Sequence, residues 1–292
     1  MSGSEGSVRV GVAGGKRSAL ETRRYLFNII GWLICGFAFL LIAVPLVDLL
    51  AVVIIKGASA FSVKLFTTNA IHGGLLNAVV GTLVLSLGSL IFAVPIGVGA
   101  GMYLSEYGQN KLGSVIRFLA DTLTGTPSIV LGYFSYITMV VGLGWGFSVL
   151  AGSLTLAIMV IPYLTRITEL SLRRVPTSMR EAAYALGAQD RTVAFRVVLT
   201  AGLPGVITAI LLALAISVGE TAPLIYTAGW STLGWNFHLI HGSIGYLTYV
   251  VWTYINEPSS KAHAVAFAAA LLVMLVVLAI NVSARTVLSR RQ

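Results

Sequence analysis

The sequence predicts an all-α membrane protein with six transmembrane helices and both termini in the cytoplasm. The 292 residues are 57% hydrophobic and only 10% charged, with a mean hydropathy of +0.91, whereas soluble domains carry about 25% charged residues. The apolar residues come in runs of about twenty or more, long enough to cross a hydrocarbon core of about 30 Å as helices. The lysines and arginines lie mainly between alternate runs, which fixes the predicted orientation.

Six apolar stretches define the predicted spans. They lie at about 27–55, 75–103, 115–141, 147–168, 203–227 and 262–284. The first is longer than the apolar region of a signal peptide, which has about 7–15 residues. The predicted organisation is a disordered, Gly- and Ser-rich cytoplasmic tail (1–24), a first helix (25–56), an external loop (57–74), a transmembrane core (75–285) and a second cytoplasmic tail (286–292).

The distribution of basic residues orients these spans. Sixteen of the nineteen lysines and arginines lie on the side of the termini, and the other side keeps Lys56, Lys64 and Lys261. This bias predicts cytoplasmic termini. The basic residues form no patch interleaved with aromatic rings, so nucleic acid is not an expected partner. The external segment 228–261 is rich in aromatic residues, which favour the membrane interface, and predicts a re-entrant or interfacial helix.

Small residues within the spans predict close helix packing. Gly97 and Gly101 form a G-x-x-x-G pair that lets another helix approach. Pro127 can break the third span, and its neighbours Thr126 and Ser128 offer hydroxyls to a cavity, although hydroxyls in helices commonly bond to their own backbone. Cys35 is the only cysteine, so no disulfide and no cysteine metal cluster are expected. No cofactor and no metal site are predicted.

The segment 169–202, between spans four and five, predicts two short helices around a turn. Ser178 and Glu181 have the spacing of a capping box, and an apolar face is formed by Ala182, Ala183 and Leu186. Gly187 can end the first helix in the left-handed conformation, and Asp190 is the expected cap of the second. Such a compact helical knob is suited to a groove on a partner protein.

Several motifs in the chain resemble known families. Glu181-Ala182-Ala183-x-x-x-Gly187, followed by Leu203-Pro204, resembles the EAA loop of ABC importer permeases, whose short coupling helix docks on a nucleotide-binding subunit. Four further stretches resemble the A-type permease of the bacterial phosphate system: Gly101–Tyr107, Thr126–Val130, Arg166–Glu169 and Gly219–Leu224. One departure is Ile216, where many of these permeases have arginine.

The resemblance implies an inner-membrane permease subunit that moves phosphate. Its implied partners are a C-type permease in a heterodimer, a dimer of ATP-binding subunits and an extracytoplasmic phosphate-binding protein. The chain itself has no ATP site, because Gly14-Gly15-Lys16-Arg17 lacks the first glycine and the Ser/Thr of a phosphate loop. The alternatives are a permease for another oxyanion, such as molybdate or sulfate, and a self-sufficient secondary carrier, which would need no coupling helix and usually has an inverted repeat.

The ionisable residues of the spans are the candidate substrate path. Glu220 can accept a hydrogen bond from the hydroxyl of phosphate, a group that sulfate lacks, although a purely structural pairing is an equal alternative. Arg166 and Glu169 are adjacent on one helix face, and an arginine fork matches a tetrahedral oxyanion. Arg117 and Asp121, spaced i,i+4, are predicted to form a structural pair.

Overall fold

A computed structural model describes residues 19–289, with side chains described from residue 23 to residue 286. Within this range the chain is helical with connecting loops, and the only β pairing is an isolated bridge between Ser148 and Gly242. The chain divides into two units, residues 1–52 and residues 53–292. The described part of the first unit is a single helix, and the second unit contains the packed core.

Twelve α-helices are described in this range. They are α1 (Ala19–Ala60), α2 (Val63–Thr67), α3 (Leu76–Glu106), α4 (Lys111–Thr124), α5 (Ser128–Ser135), α6 (Val149–Arg173), α7 (Thr177–Ala185), α8 (Asp190–Thr192), α9 (Leu199–Gly219), α10 (Ala222–Thr227), α11 (Leu247–Tyr254) and α12 (Ser260–Ser289). A 3-10 turn covers Ala70–His72, and π-helical turns cover Tyr136–Gly142 and Val193–Val198.

The helices provide the expected spans. Five described stretches are long and apolar enough to cross a membrane: Arg23–Ala60, Leu76–Glu106, Val149–Arg173, Asp190–Gly219 and Ser260–Thr286. The pair Lys111–Thr124 and Ser128–Gly142 is long and apolar enough only when taken together, and it is bent by 101°, so it is either a broken sixth span or a re-entrant loop. The helices extend beyond the predicted limits at both ends, from Ala19 to Ser289. The predicted disordered tail up to residue 18, with its glycine-lysine stretch, lies outside the described residues.

Two of the predicted spans are broken in the structure, the third at the predicted position and the fifth at a position that was not predicted. The third span breaks between Thr124 and Ser128, because Pro127 has no N–H to donate and disfavours the helical conformation for the residue before it. The fifth span ends at Gly219, and the backbone of Glu220 is extended, with φ −76° and ψ 140°. The short helix α10 then begins at Ala222, with Pro223 in its first turn, where proline is tolerated.

The core lies where α3, α6 and α9 pack together, around buried side chains that include Leu85, Leu156 and Leu164. Gly97 and Gly101 of α3 face α6. A Cβ at Gly97 would lie 2.6 Å from the Cβ of Leu164, and one at Gly101 would lie 2.7 Å from the Thr165 carbonyl oxygen. The predicted close approach at these glycines is therefore confirmed.

The aromatic segment 228–261 contains one helix, α11, where the sequence predicts a helix. Trp230 stacks on Tyr249 of this helix, with ring centroids 4.7 Å apart, and Tyr246 is buried against the core. Trp252 is exposed on the same helix. The aromatic residues therefore both anchor the segment to the core and leave apolar surface free.

Candidate functional site

The most concentrated charge in the described residues surrounds Glu169 of α6. Its side chain is only 1% exposed and contacts three arginines. Arg117 of α4 lies 2.7 Å away, and Arg166 and Arg173 of α6 lie at 2.7 Å and 3.0 Å. A buried carboxylate is costly unless it is paired and hydrogen-bonded. These arginines satisfy that requirement, and Arg166 and Glu169 are in contact as their spacing predicts.

The predicted pair between Arg117 and Asp121 is wrong. Arg117 turns instead toward α6 and binds Glu169, while Asp121 lies 3.0 Å from Nε of Arg166. Arg117 also donates to the carbonyl oxygens of Gly108 and Leu104, at 2.9 Å and 3.1 Å. These three acceptors surround its guanidinium, and a pairing along α4 could not supply the two carbonyls. The charges of α4 therefore join α4 to α6 and to the end of α3.

A second candidate cluster lies at the two helix breaks. Ser128, the first residue of α5, lies close to the side chain of Glu220, which follows α9. The short helices α5 and α10 pack directly together, since a Cβ at Gly132 would lie 2.5 Å from the Cα of Pro223. The motifs around Pro127 and Glu220, far apart in sequence, thus lie side by side.

Other residues near this cluster already have partners within the chain. The Thr126 hydroxyl donates to the carbonyl of Thr122 at 3.0 Å, so it bonds back to its own helix. The Thr248 hydroxyl of α11 donates to the backbone carbonyl of Glu220 at 2.6 Å. Ile216 packs against the main core cluster. No ion pair or side-chain hydrogen bond joins this cluster to the Glu169 cluster within the described residues.

The loop between spans four and five forms the predicted knob with different caps. Helix α7 begins at Thr177, directly after Pro176, so Ser178 lies inside the helix and makes no capping hydrogen bond. Proline before a helix already fixes the chain direction and leaves the cap without a side-chain acceptor. Gly187 has φ +79°, which confirms the left-handed turn. Asp190, the predicted cap, is instead the first residue of α8, and Gln189 occupies the cap position.

The predicted apolar face of α7 is divided in the structure. Ala183 packs against the small core cluster of Leu172 and Val193, whereas Glu181 and Ala182 are exposed. Leu186, just after the helix, is 89% exposed. One side of α7 thus contacts the protein, and the other side presents Glu181, Ala182 and Leu186 outward.

Sequence reasoning missed the contact between Arg180 of α7 and Glu106 of α3. Arg180 binds the carboxylate with two hydrogen bonds, from Nε at 3.0 Å and from a terminal nitrogen at 2.9 Å. It also donates to the carbonyl oxygens of Val175 and Leu172. The hydrogen bond to Glu106 raises the pKa of Arg180 above its usual value, so its charge is permanent. The two residues are 74 positions apart, and no local spacing signals this pair.

Metal ligands are not grouped in the part of the chain that the structure describes. No set of three or more histidine, cysteine, aspartate or glutamate side chains is placed to hold a metal ion there. His238 and His241 lie in the aromatic segment 228–261, and both are exposed. The candidate clusters themselves offer arginines, which can bind anions, and a carboxylate, which can accept a hydrogen bond from a hydroxyl.

Broken spans, a buried carboxylate among three arginines and an exposed short helix between two spans fit a membrane-spanning subunit of a transporter. The chain belongs to the family of binding-protein-dependent transport system inner membrane components, whose model matches residues 93–292. It is 39% identical over 295 residues to the phosphate transport system permease protein PstA 2 of Mycobacterium bovis, covering 100% of this chain and 98% of that protein. It is also 39% identical to PstA of Yersinia pestis, with 81% of each chain covered.

The fold is also similar to that of a solved transporter. A chain of the MetNI methionine ABC transporter, in an inward-facing conformation, aligns with a TM-score of 0.53 at 23% sequence identity. The alignment covers 73% of this chain and 94% of that chain. At this identity the likeness concerns the fold alone.

Proposed function

We propose that this chain is a membrane-spanning permease subunit of an ATP-driven importer of inorganic phosphate. The observation that carries the proposal is the 39% identity with a phosphate transport system permease over the whole chain. In this proposal the termini and α7 face the cytoplasm, and ATP is hydrolysed by a dimer of separate subunits. The second half of the path comes from a C-type permease, and an external phosphate-binding protein delivers the substrate. The chain is itself non-catalytic.

The cluster at the helix breaks is the proposed selectivity element. Phosphate at neutral pH carries a hydroxyl donor as well as negative charge, and sulfate carries no donor. The carboxylate of Glu220 can accept that hydroxyl, while Ser128 holds the carboxylate in position. A buried acceptor left unpaired by sulfate would weaken its binding. Thr126 is a weaker candidate for contact with phosphate, because its hydroxyl already donates a hydrogen bond to the carbonyl oxygen of Thr122.

The Glu169 cluster is the proposed inner anion contact. Arg166 is the proposed anion-binding arginine, since its side chain is 33% exposed and it contacts both the buried Glu169 and the exposed Asp121. If phosphate attracts Arg166, Glu169 still keeps Arg117 and Arg173, so its buried charge remains compensated. The exchange therefore releases one guanidinium fork for the oxyanion without leaving a bare carboxylate. Return of Arg166 to Glu169 then favours release of phosphate.

The outward side of α7 is the proposed contact with the ATP-hydrolysing subunit. Glu181, Ala182 and Leu186 are exposed there, and Gly187 ends the helix abruptly so that it fits a groove. Ala183 faces the core and supports the helix from behind. A short helix with an exposed leucine at its end suits helix-in-groove recognition.

Uptake by the reconstituted transporter tests the proposal. Proteoliposomes containing both permeases, the ATPase and the binding protein should accumulate labelled phosphate only when ATP is present on the side of α7. Sulfate and molybdate are the comparison substrates. Uptake that persists without ATP would identify a secondary carrier, and a preference for sulfate or molybdate would identify a different oxyanion importer. Either result would overturn the proposal.

A further inference from the structure

The contact between α7 and the end of α3 has the geometry of a rigid connection. Arg180 donates two hydrogen bonds to the Glu106 carboxylate, and two more to the backbone of Leu172 and Val175 at the end of α6. Arg180 and Glu106 have side chains that are 18% and 10% exposed. A bidentate and largely buried arginine pair has a fixed geometry that a flexible surface pair lacks.

The same end of α3 is joined to the Glu169 cluster. The carbonyl of Leu104, two residues before Glu106, accepts hydrogen bonds from Arg117 at 3.1 Å and from Arg173 at 3.3 Å. Both of these arginines also bind Glu169. The last turn of α3 thus receives one arginine from each of α4, α6 and α7. Movement of α7 that pulls on Glu106 acts on the turn that also carries the partners of Glu169.

We infer that Arg180 and Glu106 are positioning residues for energy coupling, which transmit movement of α7 to α3, α6 and the Glu169 cluster. This inference rests on the proposed function. It concerns the side of α7 that packs against the rest of the chain, opposite the side proposed to bind the ATPase. The connection acts on the protein side of α7, and the outward residues Glu181, Ala182 and Leu186 remain free for the ATPase. Loss of the pair should therefore leave ATPase binding intact and lower the phosphate moved for each ATP hydrolysed.

A double-mutant cycle in the complete reconstituted transporter tests the inference. Arg180→Gln and Glu106→Gln should each lower the ratio of phosphate transported to ATP hydrolysed by about tenfold, within the usual range of coupling between sites. The ratio in the double variant should be no lower than in the more affected single variant, because either single substitution already breaks the connection between Arg180 and Glu106. Arg180→Lys keeps the charge but loses the fork, so its ratio should lie between wild type and Arg180→Gln.

Arg174→Gln is the matched control, because Arg174 is exposed at the end of the same helix, α6, that Arg180 binds. Its coupling ratio should equal that of the wild type. An unchanged ratio in Glu106→Gln at equal complex abundance would overturn the inference, and so would additive losses in the double variant. Dissociation of the ATPase from Arg180→Gln would overturn it too, by making Arg180 part of the docking contact. Absence of ATP-driven phosphate uptake in the wild type would instead refute the proposed function.

Discussion

Arg117 donates its Nε–H to the buried carboxylate of Glu169 across 2.7 Å, although the two residues lie on different helices and 52 positions apart. This bond joins α4 to α6 at the most enclosed charge among the described side chains. Three arginines around one carboxylate make the cluster net positive even with Asp121 included. The cluster is therefore both a structural joint and a place where an anion is favoured.

Glu169→Gln should destabilise the protein strongly. The amide keeps the volume of the side chain but leaves three arginines without their shared negative charge, and breaking a buried pair costs about 3–5 kcal/mol. Asp121→Asn is the control, because its carboxylate is 59% exposed and an exposed pair contributes about 1 kcal/mol or less. Thermal unfolding of the purified variants in detergent would measure the difference. Equal unfolding temperatures for the two variants would contradict the structural role of Glu169.

The contact between α3 and α6 predicts opposite outcomes for two glycines on one helix. Gly101→Ala puts a methyl group 2.6 Å from Cβ of Thr168, and overpacking of this kind costs about 1–3 kcal/mol. Gly99→Ala meets nothing within 4 Å, so it should be neutral or slightly stabilising through helix propensity. The abundance and unfolding temperature of the two variants would test this. A loss of stability in Gly99→Ala that matches Gly101→Ala would argue against the packing explanation.

The end of α7 predicts that backbone conformation at Gly187 controls coupling. A Cβ at Gly187 meets nothing within 4 Å in this chain, so the strain of substitution within the chain comes from φ +79°. Gly187→Val should strain this turn by about 1–2 kcal/mol and lower ATP-driven uptake, whereas Gly187→Asn tolerates the left-handed conformation and should retain most of it. Uptake and ATP hydrolysis would be measured together. Similar coupling in the valine and asparagine variants would show that the turn is unimportant.

Selectivity for phosphate should depend on Glu220 and, more weakly, on Ser128. Glu220→Gln replaces an acceptor with a group that also donates, so discrimination between phosphate and sulfate should fall by about tenfold or more. Ser128→Ala removes only the hydroxyl proposed to hold the carboxylate. Thr126→Val is the control, since its hydroxyl bonds to its own helix, and it should behave as wild type. The measurement is the inhibition of labelled phosphate uptake by sulfate. Unchanged discrimination between phosphate and sulfate in Glu220→Gln would show that Glu220 has only a structural role.

Features that depend on local sequence could be predicted. The glycine turn at Gly187, the close approach at Gly97 and Gly101, and the adjacency of Arg166 and Glu169 follow from backbone preference or helical spacing. The predicted cap of α7 is wrong. Pro176 and Ser178 both precede the apolar residues, and the spacing from Ser178 to Glu181 favours the serine, but the helix begins directly after Pro176.

Features that depend on which helices meet could not be predicted. Periodicity identifies an apolar face but not the helix that covers it. The sequence therefore predicts a partner for Arg117 on its own helix, whereas the structure pairs it with Glu169 of another helix. For Arg180 the sequence predicts no partner, whereas the structure pairs it with Glu106. The contact of Ser128 with Glu220 likewise needs two breaks to align, and the break at Glu220 itself was missed in a span that is apolar on both sides of it.

The hydrogen bond from Thr248 to the backbone of Glu220 also constrains how the protein folds. At the break after α9 the carbonyl of Glu220 leaves the helical ladder, and its partner is the Thr248 hydroxyl, 28 residues further along the chain. A carbonyl without a partner is costly in hydrocarbon. The residue that satisfies the break of the fifth span therefore belongs to a later segment of the chain, helix α11. The bent shape of this span is therefore complete only when α11 has packed against it, so the break and the segment 228–261 form one cooperative unit.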